Sequence, residues 1–291
     1  MDNRDLIARA HEILDRLERL IPPPPADTDW KNHVAFRWKH DGRRGLIQPV
    51  SRIGKIRLSD LRCIETQKRR LDQNTRQFVK GLPANNALLW GPRGTGKSSL
   101  IKAILNEYAD KGLRLIEVDK RHLEELPDIA EQLYDRPEKF IIFCDDLSFE
   151  SNDASYKSLK VVLDGSINST PDNVLIYASS NRRHLLPEYD KDNVDAHLVE
   201  TEIHYGEAVE EKISLSERFG LWLAFYPFNQ QAYLEIVSYW LQQLDVIVTD
   251  RDTMQKEALK WALLHGSRSG RSAWQFAKDY AGQQKLGITD K

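Results

Sequence analysis

The nonapeptide GPRGTGKSS, residues 91–99, constrains the fold of this chain more than any other stretch. It follows the apolar run NALLW, opens an apolar-periodic segment, and fits the spacing G-x-x-x-x-G-K-[ST] at Gly91, Gly96, Lys97 and Ser98. Glycine is required because such a loop turns its backbone amides inward around phosphate oxygens, where a β-carbon would block the approach. Lys97 is placed to neutralise β- and γ-phosphates and the Ser98 hydroxyl to ligate magnesium, while the following helix N-terminus adds its own partial positive charge. At ordinary glycine usage a chance match has a probability of roughly 1%. The whole loop, Gly91, Pro92, Arg93, Gly94, Thr95, Gly96, Lys97, Ser98 and Ser99, is therefore the expected cradle for a nucleotide's phosphates.

The surrounding pattern supplies the scaffold that such a loop needs. NALLW, LRLIEVD, KFIIFC and NVLIYAS read as short buried strands, and residues 97–110, 121–135 and 155–168 as helices between them. Apolar runs separated by helices predict a parallel sheet covered on both faces. Ligands collect at the carboxyl edge of such sheets. After LWLAFY the chain reads as helical to its end.

FIIFCDDLSFE, residues 140–150, ends an apolar run in two adjacent carboxylates, the Walker B pattern. Asp145 is expected to hold the magnesium ion through its water shell; the bland reading makes it a helix cap. Asp146 stands where a water-activating glutamate is usual. It is one methylene shorter, and a misplacement of about 1 Å can cost about a hundredfold in rate. Asp146 as the base, Glu150 as its substitute, and slow hydrolysis all remain open at this point.

Together with these motifs, LIYASSNRRHLLPE, SLSERFGLWLAFYPF and GSRSGRSAWQFA resemble the AAA+ ATPase superfamily, specifically a bacterial family of predicted ATPases known as a domain of unknown function. The similarity covers roughly residues 50–285. It implies an α/β nucleotide-binding domain over 50–227 and a small all-helical lid over 228–291. Residues 1–49 are left as an N-terminal helix, a proline linker and a basic extension. In such relatives the Asp-Asp pair is the ordinary form. The resemblance makes Asn181 a sensor that orients water or touches the γ-phosphate, whereas alone it reads as a cap. It makes Arg218 an arginine finger donated to a neighbouring subunit, with pairing to Glu217 or the acidic segment as the alternative. Arg271 becomes a lid arginine reaching the γ-phosphate; Arg268 is its rival, and a plain surface arginine is the bland reading. Adenine is expected near Leu58, Leu61 and Ile64.

Composition narrows the remaining classes. With 41% apolar and 30% charged residues and a net charge of −2, the chain reads as an ordinary globular protein. No apolar run approaches the ~18 residues of a membrane span, the N-terminus lacks a secretory core, and two cysteines give no disulfide framework. A cytoplasmic location follows as an expectation. Leu6, Ala10, Ile13, Leu17 and Leu20 form one helical stripe, ended by Pro22 to Pro25. Residues 31–80 hold 14 Lys or Arg against 4 acids, and residues 186–217 hold 10 acids against 2 Lys, so opposite charges are segregated. Trp30, Phe36 and Trp38 lie among the basic residues, a mixture able to stack bases and contact phosphates. Trp222, Phe225, Tyr226, Phe228, Tyr233, Tyr239 and Trp240 read as packing between sheet and lid.

The expected activity is magnesium-dependent ATP binding and hydrolysis, with the nucleotide state coupled to remodelling or loading of a macromolecular partner in a homo-oligomer. The alternative is a nucleotide-gated DNA-binding adaptor with little turnover. A small-molecule kinase is a third class that leaves Arg218 and Arg271 unexplained.

Overall fold

The computed structural model describes Arg9 and residues 28–40, 45–149, 155–164, 171–182, 197–199, 202–204 and 216–287. The N-terminal stripe, the proline run and most of the acidic segment lie outside the described residues.

Strand β5, Lys139–Cys144, shows why the sheet must be covered twice. Phe140, Ile142 and Cys144 face one core while Ile141 and Phe143 face the other, and all five are at most 1% exposed. Full burial of such a side chain stabilises by roughly 1.5–3 kcal/mol, so an uncovered face would be prohibitive. The same alternation runs through β3 (Ala87–Trp90), β4 (Leu113–Val118) and β6 (Val174–Ser180).

One face is covered by α1 (Glu65–Val79) and α2 (Lys97–Tyr108) through Leu71, Phe78, Leu100, Ile101 and Ile104. The other is covered by a 3-10 turn, Lys120–Glu125, by α3 (Leu126–Glu131) and by α4 (Ser155–Asp164), through Leu123, Leu126, Ile129, Leu159 and Val162. The region expected as one helix over 121–135 is thus a 3-10 turn running into a short α-helix. His122 carries non-helical angles (φ −115°, ψ 16°), and Pro127 enters at the start of α3.

Two strands join the sheet from ahead of residue 50. β1 (Ala35–His40) pairs parallel with β4, and β2 (Gly45–Pro49) pairs antiparallel with β1. Beyond the small hairpin of β7 (His197–Val199) and β8 (Glu202–His204), β9 (Leu221–Ala224) closes the far edge. The order is β2-β1-β4-β5-β6-β3-β9, with every pairing parallel except β1–β2. The aromatics of this N-terminal part serve the core rather than a nucleic-acid face. Trp30, Phe36 and Trp38 are 7%, 1% and 3% exposed; Trp30 packs on Phe36 and Phe140, and Trp38 donates to Glu125 Oε2 at 2.7 Å. Base stacking on these three rings is excluded by their burial.

The helical segment after β9 comprises α5 (Gln230–Gln243), α6 (Arg251–Leu264) and α7 (Gly270–Leu286). Each starts on a side-chain cap: Asn229 accepts from the Ala232 amide, Asp250 from Asp252 and Thr253, and Ser269 from Ser272. Tyr233, fully buried, donates to the Ala258 carbonyl at 3.2 Å and ties α5 to α6. Of the aromatics expected at this junction, Phe225, Phe228 and Tyr233 are buried, but Tyr226 is 67% exposed and stands edge-on to Trp90.

Candidate nucleotide site

The glycine loop starts where β3 ends. The Gly91 amide donates to the Ser180 carbonyl on β6, and Gly91, Gly94 and Gly96 take φ values of 137°, 78° and 103°. These angles belong to glycine. The Thr95 hydroxyl donates to the Pro92 carbonyl at 2.8 Å and closes the loop on itself. Lys97 then opens α2 with its ammonium turned back into the loop, donating to the carbonyls of Gly91 (2.5 Å) and Pro92 (2.9 Å) and to Asn181 Oδ1 (3.2 Å). Burial holds this ammonium below the ordinary lysine range, and the charges of Asp145 and Asp146 oppose that shift. These hydrogen-bond partners are neutral oxygens, so the loop presents a cation suited to an anionic ligand.

The carboxylates sit on the neighbouring strand ends. Ser98 Oγ donates to Asp145 Oδ1 at 2.7 Å, and Ser179 Oγ donates to the same oxygen at 2.5 Å. Ser179 Oγ also accepts from the Asp146 amide at 3.0 Å. Asp146 adopts a left-handed backbone, φ 54°. Its Oδ1 accepts from Asn181 Nδ2 and its Oδ2 pairs with Arg93 Nη2 at 2.9 Å. After this turn Leu147 is stitched to β6, its amide to the Ser179 carbonyl and its carbonyl to Ser180 Oγ, both at 2.7 Å. Glu150 lies outside the described residues.

The lid touches the loop directly. The Gly270 amide donates to the Gly94 carbonyl at 2.8 Å, and a Cβ on Gly94 would lie 2.8 Å from Ser269 Cβ. Between sheet and lid is a cleft of about 560 Å³ lined by Arg93 to Ser99, Asp145, Asp146, Ser179, Asn181 and Arg271. Its apolar lining is formed by Ile56, Leu61, Ile64, Phe228, Ile236, Trp240 and Trp274. Of the residues expected near a base, Leu61 and Ile64 line the cleft and Leu58 does not. Arg271 lines it and Arg268 does not. Trp240, expected as packing, and Trp274 both face it, with ring centroids 4.7 Å apart.

Arg218 stands apart. It is half-buried on the turn before β9, at the amino end of a strand whose carboxyl end meets the glycine loop. The four-residue strand alone spans roughly 13 Å. Arg218 is not among the residues lining this chain's own cleft.

A family model described as "Protein of unknown function (DUF815)" matches residues 31–284. The chain belongs to this family. Its fold is the α/β AAA+ architecture that the motifs implied. Among solved structures, the Thermotoga maritima RuvB Holliday junction branch migration motor is similar with a TM-score of 0.55 at 18% identity, over 81% of this chain and 67% of that one. The Aeropyrum pernix ORC1 protein in complex with DNA is similar with a TM-score of 0.55 at 16% identity, over 78% of this chain and 61% of that one. The chain thus spans about two thirds or less of these proteins' lengths, and the likeness is one of fold. No curated protein matches the sequence. The family's start at residue 31 agrees with the sheet, whose first strand begins at Ala35.

The donor set suits a magnesium nucleotide. Magnesium keeps several waters and takes one or two protein oxygens beside phosphate oxygens, and Ser98 and Asp145 offer that number. Among the described residues there is no cluster of three or more His, Cys, Asp or Glu that would suggest an all-protein metal cage. No described helix is long and apolar enough to cross a membrane. Sequence reasoning missed Ser179, which joins the two carboxylates, and the partner of Arg93. Ser179 stands two residues before Asn181 on β6, a strand in register with β5 through Cys144 and Ala178, which is the signal that could have found it.

Proposed function

We propose that this chain is a magnesium-dependent ATPase that couples its nucleotide state, through the lid, to remodelling or loading a macromolecular partner. The observation that carries this reading is the meeting of Ser98 and Asp145 at 2.7 Å between a left-handed glycine cradle and a strand end. Lys97 would exchange its carbonyl partners for β- and γ-phosphate oxygens. Ser98 and Asp145 would hold magnesium, which supplies charge neutralisation at the phosphates when bound. Asp146 is the group placed to take a proton from the attacking water at a carboxylate oxygen, with Asn181 fixing its orientation. Arg271 reaches the cleft from α7, whose first residue is already bonded to Gly94, so a change at the phosphates would be felt by the lid. Arg218 would serve a neighbouring copy, a reading supported by its standing a strand's length from its own cleft, and such a finger is worth about 10³–10⁵ in rate.

Lys97→Ala tests the reading: ATP turnover measured across a range of protein concentrations should be lost in the variant. In the parent, specific activity should rise with assembly. A Lys97→Ala chain hydrolysing ATP at the parent's rate would remove the mechanism, and a flat concentration profile would remove the oligomer.

One observation supports the DNA-adaptor alternative. Arg52, Lys55, Arg57, Arg69, Arg70 and Lys80 are exposed on the segment that flanks the cleft, which Asn106 anchors through the carbonyls of Gly54 and Ile56. Such a strip could take a polyanion, and binding would weaken steeply with salt.

A further inference from the structure

Arg93 occupies a loop position whose side chain the P-loop spacing leaves unspecified, yet it reaches across to the second carboxylate. Its Nη2 lies 2.9 Å from Asp146 Oδ2, and Asn181 holds the other oxygen. Both oxygens of the candidate base are therefore engaged, one of them by a guanidinium that must leave before a water can be bonded there. Arg93 and Asp146 are 74% and 52% exposed. An ion pair so open to water exchanges partners at little cost. Arg93 also lines the cleft together with Lys97 and Ser98. A guanidinium binds phosphate through paired hydrogen bonds, and a terminal phosphate carries more charge than a carboxylate.

We propose that Arg93 is a latch on Asp146 that responds to the γ-phosphate. It is paired with Asp146 when the cleft holds no terminal phosphate, and a nucleoside triphosphate draws it away. The same side chain thereby helps the site to prefer triphosphate over diphosphate and frees the base only when there is a bond to cleave. This rests on the nucleotide reading above.

Two measurements on the full chain test it. The first is calorimetric titration of the parent, Arg93→Ala and Arg93→Lys with magnesium AMP-PNP and with magnesium ADP. The ratio of the two affinities should fall about tenfold in Arg93→Ala, as expected for loss of a charge-assisted contact, and recover in part in Arg93→Lys. The second is a double-mutant cycle on unfolding, with Arg93→Ala and Asp146→Asn singly and together. Coupling of about two- to fivefold in the unfolding constant should be present without nucleotide and with ADP, and absent with AMP-PNP. An unchanged affinity ratio, or coupling that persists with AMP-PNP, overturns the latch; the latter would make the pair a fixed brace. A parent that binds neither probe overturns the nucleotide reading itself, before any variant is compared.

Discussion

Replacing Gly91 with alanine should damage this protein in two separable ways, both measurable. Gly91 sits at φ 137°, outside the region that an L side chain adopts without strain, and its amide is bonded to Ser180 on β6. A Cβ there would lie 2.1 Å from the Phe225 carbonyl oxygen and 2.9 Å from its carbonyl carbon, so the obstruction is backbone and cannot rotate away. Nor can β9 retreat freely, because the Phe225 amide is bonded to the Trp90 carbonyl at 2.8 Å. Backbone strain of about 1–3 kcal/mol and overpacking of about 1–3 kcal/mol sum to roughly 2–6 kcal/mol. That is a large share of a total that is typically about 5–15 kcal/mol. At about 2–4 °C per kcal/mol for a domain somewhat smaller than this chain, the melting temperature should fall by roughly 4–24 °C. Nucleotide affinity should fall with it, since the displaced peptide carries one of the carbonyls that orient Lys97. Gly282 is the control: it lies inside α7 with open space around its Cβ position, and alanine there should stabilise by roughly 0.5–1 kcal/mol. Thermal unfolding followed by circular dichroism decides the matter. A Gly91→Ala protein within about 1 kcal/mol of the parent would refute the packing argument, as would equal losses at both glycines.

Three further outcomes follow from the same geometry. Burial pushes the Tyr177 phenol up to about 12, against hydrogen bonds with Thr75 and Asn74. A folded-state value above the unfolded one gives stability that is fully present below about pH 10 and lost as pH rises towards 12. Tyr177→Phe should therefore cost about 1–2 kcal/mol at neutral pH and show a shallower alkaline decline in urea unfolding; an equal decline assigns it to other groups. Asp146→Asn should still bind ATP but turn over at least about a hundredfold more slowly, and an unchanged rate would move the role of base to Glu150 or elsewhere. Arg218→Ala should lose turnover alone yet regain part of it when mixed with Lys97→Ala, because each would supply what the other lacks; no recovery in mixed assemblies would count against a finger acting between subunits.

Much of the architecture was legible in the sequence because glycine spacing and alternating apolar runs report local requirements. The loop at residues 91–99, the strand NALLW and the run KFIIFC each announce their own geometry. What escaped was set by distant pairing. Nothing local to residues 35–49 shows that β1 will add to β4, 80 residues onward in the register Ala35–Leu115, Phe36–Ile116 and Arg37–Glu117. The basic residues around Trp30, Phe36 and Trp38 suggest a nucleic-acid surface, whereas period-two alternation in AFRWKH turns Phe36 and Trp38 inward, with Trp30 packed on Phe36, and leaves Arg37 and Lys39 outside. Arg93 escaped for a related reason. Its partner is 53 residues away and becomes a neighbour only when β3 and β5 flank β6.

The same placement bears on the missing methylene at Asp146. The residue follows Asp145 directly, and its chain must turn sharply to send Leu147 into the core beneath β6, where Leu147 is fully buried and bonded at both its amide and its carbonyl. That turn is made at Asp146 with φ 54°. Among side-chain-bearing residues, aspartate and asparagine enter this left-handed region most readily, because a short polar group can bond locally. Here the turn is held from outside, the Asp146 amide donating to Ser179 Oγ on β6 and the carboxylate accepting from Asn181 and Arg93. A glutamate would gain reach but lose that conformational preference, in a turn whose neighbours Ser179, Asn181 and Arg93 already converge on the shorter side chain. The aspartate is thus better understood as the residue this backbone selects than as a truncated glutamate, and the reach it lacks is a matter for the groups around it.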